Sequence, residues 1–179
     1  MSKIVNVISE ALRTVFYSND IEKACDILTE LDEVKVKVWR EHESVKLPTY
    51  AKSGDACMDV YVDSIETKPD GRVCYHTGLH FKLPEDYEME IRPRSSNTKT
   101  IAVMQNAPGT LDEGYTGELM IVHRNLEYSK VAVPQYTVGD RCAQILIRRR
   151  ERIVWDEVNT QEELGDTERG KGGFGSTGK

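Results

Sequence analysis

Paired cysteines, long apolar runs and an excess of basic residues are all missing from this sequence. None of its four cysteines forms a C-x-x-C pair, and no segment approaches the roughly 20 apolar residues of a membrane span. The formal net charge is −6, whereas a protein that binds DNA or RNA across its surface carries a basic field. These absences predict a reduced, cytoplasmic protein with no membrane association and no direct nucleic-acid binding.

Signal-peptide and zinc-site patterns are missing as well. Glu10 and Arg13 interrupt the first apolar run, which therefore lacks the form of a signal peptide. The cysteines are scattered, at Cys25, Cys57, Cys74 and Cys142. The histidines have no zinc-ligand spacing and lie on apparent strands, at His42, His76, His80 and His123. We expect reduced thiols, and structural or surface roles for the histidines.

The first 33 residues have the apolar spacing of two short helices. Apolar residues recur at intervals of three and four from Ile4 to Phe16. Residues 17–20 break the pattern, and Asp20 is placed to cap a second helix. Two short amphipathic helices cannot bury their apolar stripes alone. This N-terminal α-helical extension, residues 1–33, is expected to dock on the main domain or on another copy, and a protein-partner surface is also open.

From Val34 onwards the apolar period changes from helical to two residues. No helical crossover separates the short apolar runs that follow, so a parallel α/β architecture is not expected. Strands are predicted near residues 57–62, 72–76, 79–83, 87–93, 101–104, 118–123, 131–135 and 142–147. The pattern indicates an all-β domain over residues 34–155, built as a sandwich, barrel or jelly roll.

Two segments place charged side chains at strand ends. Residues 53–59 bring carboxylates to the start of a strand, as an ordinary turn or cap also does. Residues 92–97 place two arginines and two serines around a proline. Because arginine binds phosphate through a planar fork of donors, the second segment indicates a phosphate clamp.

Two further segments combine turns with polar side chains. Residues 106–118 predict a glycine-rich hairpin, in which Asp112 can accept a proton from water and Tyr115 can face a sugar. An ordinary turn with a surface carboxylate is the alternative. Residues 139–147 form a turn that leads into an apolar strand. A buried amide at Gln144 needs partners there, either a phosphate or neighbouring backbone.

Residues 156–179 are predicted as an acidic linker followed by a mobile glycine-rich arm. Half of residues 169–178 are glycine, with one aromatic residue, Phe174. Glycine lets backbone N–H groups surround an anion, and an aromatic ring can stack on a base. The arm is typical either of a segment that becomes ordered on a base-bearing phosphate ligand or of a disordered tail. Although the spacing from Gly165 to Lys171 matches the start of a P-loop, Gly172 replaces the magnesium-binding Ser or Thr and no helix follows.

Taken in order, these five segments resemble the five motifs of the trimeric deoxyuridine triphosphatase (dUTPase) family. The resemblance covers residues from about 45 to 178. It implies a dUTPase-like β-clip or jelly-roll barrel, and a homotrimer with sites at subunit interfaces. It also implies Mg²⁺-dependent hydrolysis of dUTP to dUMP and pyrophosphate, which lowers dUTP and supplies dUMP for thymidylate synthesis.

The resemblance implies a role for each matching residue. Asp112 would orient and deprotonate the attacking water, and Asp59 would hold Mg²⁺ through water. Tyr115 would lie under the deoxyribose and leave no room for a 2′-hydroxyl. The other substrate-binding residues would be Arg94, Ser95, Ser96 and Gln144 for phosphates, Asn106 and the hairpin backbone at Gly109 for uracil, Arg169, Gly175, Ser176 and Thr177 for closing on the terminal phosphates, and Phe174 for stacking on uracil.

Three positions depart from the family pattern without removing a reacting group. Cys57 stands where the family usually has glycine, Asn97 where it has leucine, and Gly114 where it has an acidic residue.

Two other functions are weighed against hydrolysis. A dCTP deaminase is similar in fold and shares the Arg-Ser-Ser element, but it carries a catalytic glutamate where this chain has Val122. A regulatory binding protein would keep the nucleotide site and use the N-terminal helices to hold a partner. The intact Asp112 and the arm favour an active enzyme.

Overall fold

The computed structural model describes residues 3–29, 33–125 and 134–172. The helices in this part of the chain are α1 (Lys3–Ser18) and α2 (Ile21–Thr29), with short 3-10 helices at Ser95–Lys99 and Gln161–Leu164. The strands are β1 (Lys37–Arg40), β2 (Met58–Tyr61), β3 (Ser64–Thr67), β4 (Arg72–Lys82), β5 (Tyr87–Arg92), β6 (Ala102–Met104), β7 (Gly109–Leu111), β8 (Glu118–Asn125) and β9 (Arg141–Arg149). None of the described helices is both long and apolar enough to cross a membrane.

The two N-terminal helices separate where the sequence predicts. The backbone N–H of Lys23 donates to Asp20 Oδ1 at 2.9 Å, so the predicted cap at Asp20 is confirmed. The helices pack on each other, and their buried residues are separate from the main core, at Val7, Ala11 and Ala24. An adjoining stripe of α1 exposes the apolar residues Val5, Ile8, Leu12 and Val15.

The strands form two antiparallel sheets. One has the order β1-β4-β8-β6 with β3 paired to β4, and the other has the order β2-β9-β5-β7. The core between them draws on both sheets, including Tyr75, Leu79, Met89, Leu119, Ile121 and Ile145. Strand β8 shows the underlying pattern, because alternate residues from Leu119 to Asn125 are buried. The all-β expectation, with an N-terminal helical extension, is confirmed.

Several strand predictions are corrected by the structure. The runs predicted at 72–76 and 79–83 form one strand, β4, whose register shifts between His76 and His80. Gly78 lies at this bend with a φ of +62°, and a Cβ at this position would clash with Val45 Cγ2 at 2.7 Å. Strand β3 was not predicted, because its residues are mostly exposed and polar. Of the strand predicted at 131–135, residues 134–135 are not in a strand and the rest lies outside the described residues.

All four cysteines lie among the described residues, and none is in a disulfide, in line with the predicted reduced thiols. Cys25 is exposed, Cys57 is partly exposed, and Cys74 and Cys142 are buried. Burial raises the pKa of Cys142 to about 12, so this thiol stays protonated and unreactive at neutral pH.

Candidate active site

A buried carboxylate, Asp59, organises the phosphate clamp that the sequence indicates. Asp59 Oδ1 accepts from Arg94 Nε at 2.8 Å, and Oδ2 accepts from Arg141 Nη1 at 2.9 Å. Asp59 lies on β2 and is only 8% exposed, so its charge requires such partners. Two guanidinium groups on one carboxylate leave a net positive charge, which suits an anion.

Arg141 is the member of this cluster that the sequence analysis did not single out. It begins β9, in register with Tyr61 of β2, and its carbonyl accepts from Arg94 Nη1 at 3.3 Å. A signal was present, since a carboxylate inside an apolar strand needs a cation. The sequence does not say which of the many cations supplies it.

The 3-10 helix Ser95–Lys99 follows directly on Arg94. Ser96 Oγ accepts from Arg94 Nη1 at 3.1 Å, which places this hydroxyl beside the guanidinium. Asn97, a departure from the family pattern, donates from Nδ2 to the Ala102 carbonyl at 3.3 Å. Its amide therefore ties the loop to β6, where leucine offers only apolar contact.

Gln144 lies on β9, the strand between β2 and β5. On β9 it is in register with Asp59 of β2 and with Arg92 of β5. Gln144 is only partly buried, not buried as the sequence suggested. Its Nε2 donates to the Pro93 carbonyl at 3.1 Å, so neighbouring backbone supplies one partner of the amide. The structure thus brings together Asp59, Arg94, Ser96 and Gln144, all of which the sequence singled out.

A divalent cation fits this cluster only through water. No group of three or more His, Cys, Asp or Glu side chains suited to a metal occurs among the described residues. Each oxygen of Asp59 accepts one guanidinium N–H and keeps acceptor capacity for a water hydrogen. Mg²⁺ commonly retains several waters and takes other ligands from substrate phosphates, so Asp59 suits an outer-sphere role.

The segment predicted as a hairpin, residues 106–118, does not pair β7 with β8, because β7 pairs with β5 and β8 lies in the other sheet. The side chain of Asn106 attaches this segment to β8. Its Nδ2 donates to the Met120 carbonyl at 2.8 Å, and its Oδ1 accepts from the Val122 N–H at 2.9 Å. Gly109 begins β7, and a Cβ at this position would lie 2.6 Å from the Asn106 carbonyl oxygen. The backbone there is too closely packed for any side chain.

Asp112 and Tyr115 lie on the loop between β7 and β8. Asp112 is exposed, and its carbonyl accepts from the Tyr115 N–H at 3.0 Å. The Tyr115 hydroxyl donates to the Glu118 carbonyl at 3.1 Å, and a Cβ at Gly117 would clash with the Tyr115 ring. The ring is therefore held against its own loop and is 44% exposed.

The clamp and Asp112 are far apart within one chain. Asp59, Gln144 and Arg92 are in register across three strands, whereas Asp112 follows Leu111, which is paired with Met89 at the other end of β5. Asp59 and Asp112 are thus separated by four residues along the strands and by three inter-strand spacings, which together amount to roughly 20 Å. A general base must approach within about 3 Å of its proton, which is much less than the separation of Asp59 and Asp112 in one chain.

The C-terminal region is described as far as residue 172. Arg169 is exposed, and its Nε donates to the Gly172 carbonyl at 3.1 Å in a local turn. The predicted contacts of Phe174, Gly175, Ser176 and Thr177 lie outside the described residues. Before this turn, the segment 151–158 has no regular structure and strongly exposes Ile153, Val154 and Trp155.

Comparisons with known proteins match most of the chain. The model of the dUTPase family matches residues 43–178. A deoxyuridine 5'-triphosphate nucleotidohydrolase of Anaplasma marginale is 40% identical over 151 residues, which cover 81% of this chain and 99% of that protein. Its counterpart in Fusobacterium nucleatum is 41% identical over 153 residues, with 83% and 100% covered.

Solved structures share the fold. The dUTPase of Staphylococcus bacteriophage 80alpha with dUPNHPP has a TM-score of 0.66 and 23% identity, over 80% of this chain and 98% of that one. A mutant dUTPase from phage phi11 of S. aureus has a TM-score of 0.57 and 22% identity, over 72% and 99%, and was solved with a structural Mg(II) ion.

Proposed function

The chain belongs to the dUTPase family, and from that membership we propose that it hydrolyses dUTP to dUMP and pyrophosphate. The observation that carries the proposal is the cationic clamp of Arg94 and Arg141 on buried Asp59, within the matched residues. A triphosphate repels nucleophiles through its negative charge. Fixed guanidinium groups offset that charge as it builds up in the transition state.

The roles of the remaining residues follow from their chemistry. Asp112 takes a proton from water, and the water oxygen bonds to the α-phosphorus. The α–β anhydride bond then breaks and pyrophosphate leaves. Such proton transfer contributes about 10²–10⁴-fold. Tyr115 lies along the sugar and excludes a 2′-hydroxyl. Bound Mg²⁺ would neutralise phosphate charge, held by the substrate and, through water, by Asp59.

The other implied substrate contacts are part of the same proposal. The phosphates contact Arg94, Ser95, Ser96 and Gln144, and uracil is read by the hairpin at Asn106 and Gly109. One amide hydrogen of Asn106 is already donated to Met120, which leaves the other for a ligand. The arm closes through Arg169, Gly175, Ser176 and Thr177, with Phe174 stacked on uracil, and so excludes bulk water.

The active form in this proposal is a homotrimer with each site shared between subunits. The roughly 20 Å between Asp59 and Asp112 within one chain supports sharing, because a second copy can bring its own loop to the clamp. The exposed Ile153, Val154 and Trp155 also support a contact between copies, since soluble monomers rarely leave such a run uncovered.

The direct test measures pyrophosphate release from dUTP with Mg²⁺, and compares it with dCTP, dTTP and UTP. We expect release from dUTP at the highest rate, with little from the others. Absence of cleavage of dUTP would overturn the proposal. Ammonia release from dCTP would instead favour the deaminase alternative, which the lack of a carboxylate at Val122 argues against.

A second function, partner binding through the N-terminal extension, is favoured by one observation. The exposed residues Val5, Ile8, Leu12 and Val15 of α1 follow the three–four spacing of helices that associate, and the family match begins only at residue 43. Pull-downs and light scattering, with and without residues 1–33, test this function. Identical partners and an identical number of subunits for both forms would exclude it.

A further inference from the structure

Two cationic side chains of β4 hold the outer side of the loop that carries Asp112 and Tyr115. Lys82 Nζ donates to the Glu113 carbonyl at 2.8 Å, and His80 Nδ1 lies 3.0 Å from the Thr116 carbonyl oxygen. Residues 80 and 82 share one face of the strand. The loop is therefore attached to β4 through two of its backbone carbonyls, one on each side of Tyr115.

The two contacts of His80 favour its doubly protonated form. Nδ1 faces the Thr116 carbonyl, and Nε2 lies 3.1 Å from Glu41 Oε1. A carbonyl and a carboxylate can only accept hydrogen bonds, whereas a neutral imidazole carries a single N–H. Only the doubly protonated ring can donate to both acceptors at once.

The surroundings of His80 favour the charged ring. The hydrogen bond to Glu41 is the main cause that raises its pKa, followed by the one to the Thr116 backbone. Glu118 on β8 adds a favourable charge, while Lys37 and Lys82 line the same groove with the opposite sign. The Trp39 ring packs on the imidazole, with ring centroids 4.8 Å apart, and limits its contact with water.

We propose that His80 is a positioning residue, whose imidazolium ties Thr116 to Glu41 and so fixes the loop on which Asp112 and Tyr115 lie. This inference rests on the proposed hydrolysis of dUTP. His80 acts through the loop, so its loss lowers kcat more than it raises KM. It also relaxes discrimination against UTP, because Tyr115 is next to Thr116 in the chain.

The pH dependence has a defined sign. His80 has a raised pKa in the folded protein, so its two hydrogen bonds are complete at low pH and one is lost as pH rises through that pKa. For the native protein, kcat/KM for dUTP is expected to fall on the alkaline side of this transition.

The first experiment compares His80→Gln and Glu41→Gln with the native chain. His80→Gln should lower kcat by about tenfold to a hundredfold, with a flattened alkaline limb. Glu41→Gln should move that limb to lower pH, because it removes the charge that holds the proton. Glu43→Gln is the matched control, since its carboxylate makes no hydrogen bond or ion pair with the described residues. Native kcat, UTP discrimination and pH profile in His80→Gln would overturn the proposal.

The second experiment does not depend on turnover. Nuclear magnetic resonance of the histidine rings in the ligand-free protein should show both nitrogens of His80 protonated at pH 6, with a pKa above 6.5 that falls in Glu41→Gln. A neutral His80 at pH 6 would overturn the proposal even if dUTP is cleaved. Conversely, a chain that leaves dUTP intact would fail the proposed function, and the ring titration would still decide the tie to Thr116.

Discussion

Asp112 is an exposed carboxylate that makes no side-chain hydrogen bond with the described residues. Its replacement by asparagine keeps the size of the side chain but removes the proton acceptor. We expect Asp112→Asn to lower kcat for dUTP by about 10²–10⁴-fold while calorimetry shows near-native binding of the nucleotide. Asp70→Asn, at the turn before β4, is the charge-matched control. Near-native kcat in Asp112→Asn would remove the proposed base.

His123 is a buried polar residue without hydrogen-bond partners among the described residues. Its side chain is 1% exposed, and neither ring nitrogen has a hydrogen bond. Tyr75 and Tyr136 pack edge-on against the ring at 5.3 and 5.6 Å. We expect His123→Leu to raise the free energy of unfolding by about 1–3 kcal/mol, because it removes the cost of the unpaired nitrogens. Urea unfolding checks this, with the exposed His42→Leu as the control.

The same histidine makes the native fold sensitive to acid. Burial lowers the pKa of His123 to about 4, below its value in an unfolded chain. The unfolded state therefore binds the proton first, and stability falls as pH drops from about 6.5 to 4, by on the order of 3 kcal/mol. His123→Leu should lose this part of the pH dependence. An unchanged acid transition in the variant would contradict the assignment.

At the residue scale, the sequence indicates which residues belong to the site better than it indicates which of them contact each other. Asp59, Arg94, Ser96 and Gln144 were all singled out, and the structure brings them together. The partner of Asp59 at Arg141 was missed, because the two residues lie 82 positions apart and no local pattern links them. The individual roles in catalysis stay predictions.

Two glycines of segment 106–118 differ in how much space they leave for a side chain. A Cβ at Gly109 would lie 2.6 Å from backbone oxygen, whereas a Cβ at Gly114 meets nothing within 4 Å. We expect Gly109→Ala to destabilise the fold by about 1–3 kcal/mol through overpacking, and Gly114→Ala to be near neutral. Thermal unfolding of both variants checks this pair. Equal melting temperatures would show that β7 can shift to make room.

The C-terminal arm is predicted to act as a closing element. Deletion of residues 169–179 should reduce dUTP hydrolysis by about a hundredfold or more, because closure orients the reactants and excludes water. Light scattering should show an unchanged oligomer, since these residues follow the domain. If the truncated chain keeps full activity, the arm is only a tail.

At the element scale, strong local signals were predictable and weak ones were not. The break between α1 and α2 follows from the apolar period and from Asp20. Strand β3 carries almost no apolar signal because it lies at the edge of its sheet, where β4 is its one partner among the described strands, and most of its residues are exposed. The continuity of β4 through Gly78 depends on its fit against Val45, a contact that is distant in sequence.

For the whole molecule, a site shared between copies predicts complementation. Asp112→Asn and Arg94→Ala should each be inactive as pure proteins. Random mixing during refolding should restore activity at about a quarter of the sites. Such a site takes its intact Arg94 from one variant and its intact Asp112 from the other, each with a probability of about one half. Pyrophosphate release from dUTP measures the recovery. No recovery in verified mixed oligomers would mean that each chain forms its own site.

A phosphate ligand held by the clamp on Asp59 would also stabilise the folded chain. Its residues come from β2, from the end of β5 and from β9, so an unfolded chain does not present it. A phosphate ligand that binds only the native clamp stabilises that state by about 2.7 kcal/mol when its concentration is a hundred times its Kd. A cell rich in such ligand would keep more of the chain folded and out of reach of proteases.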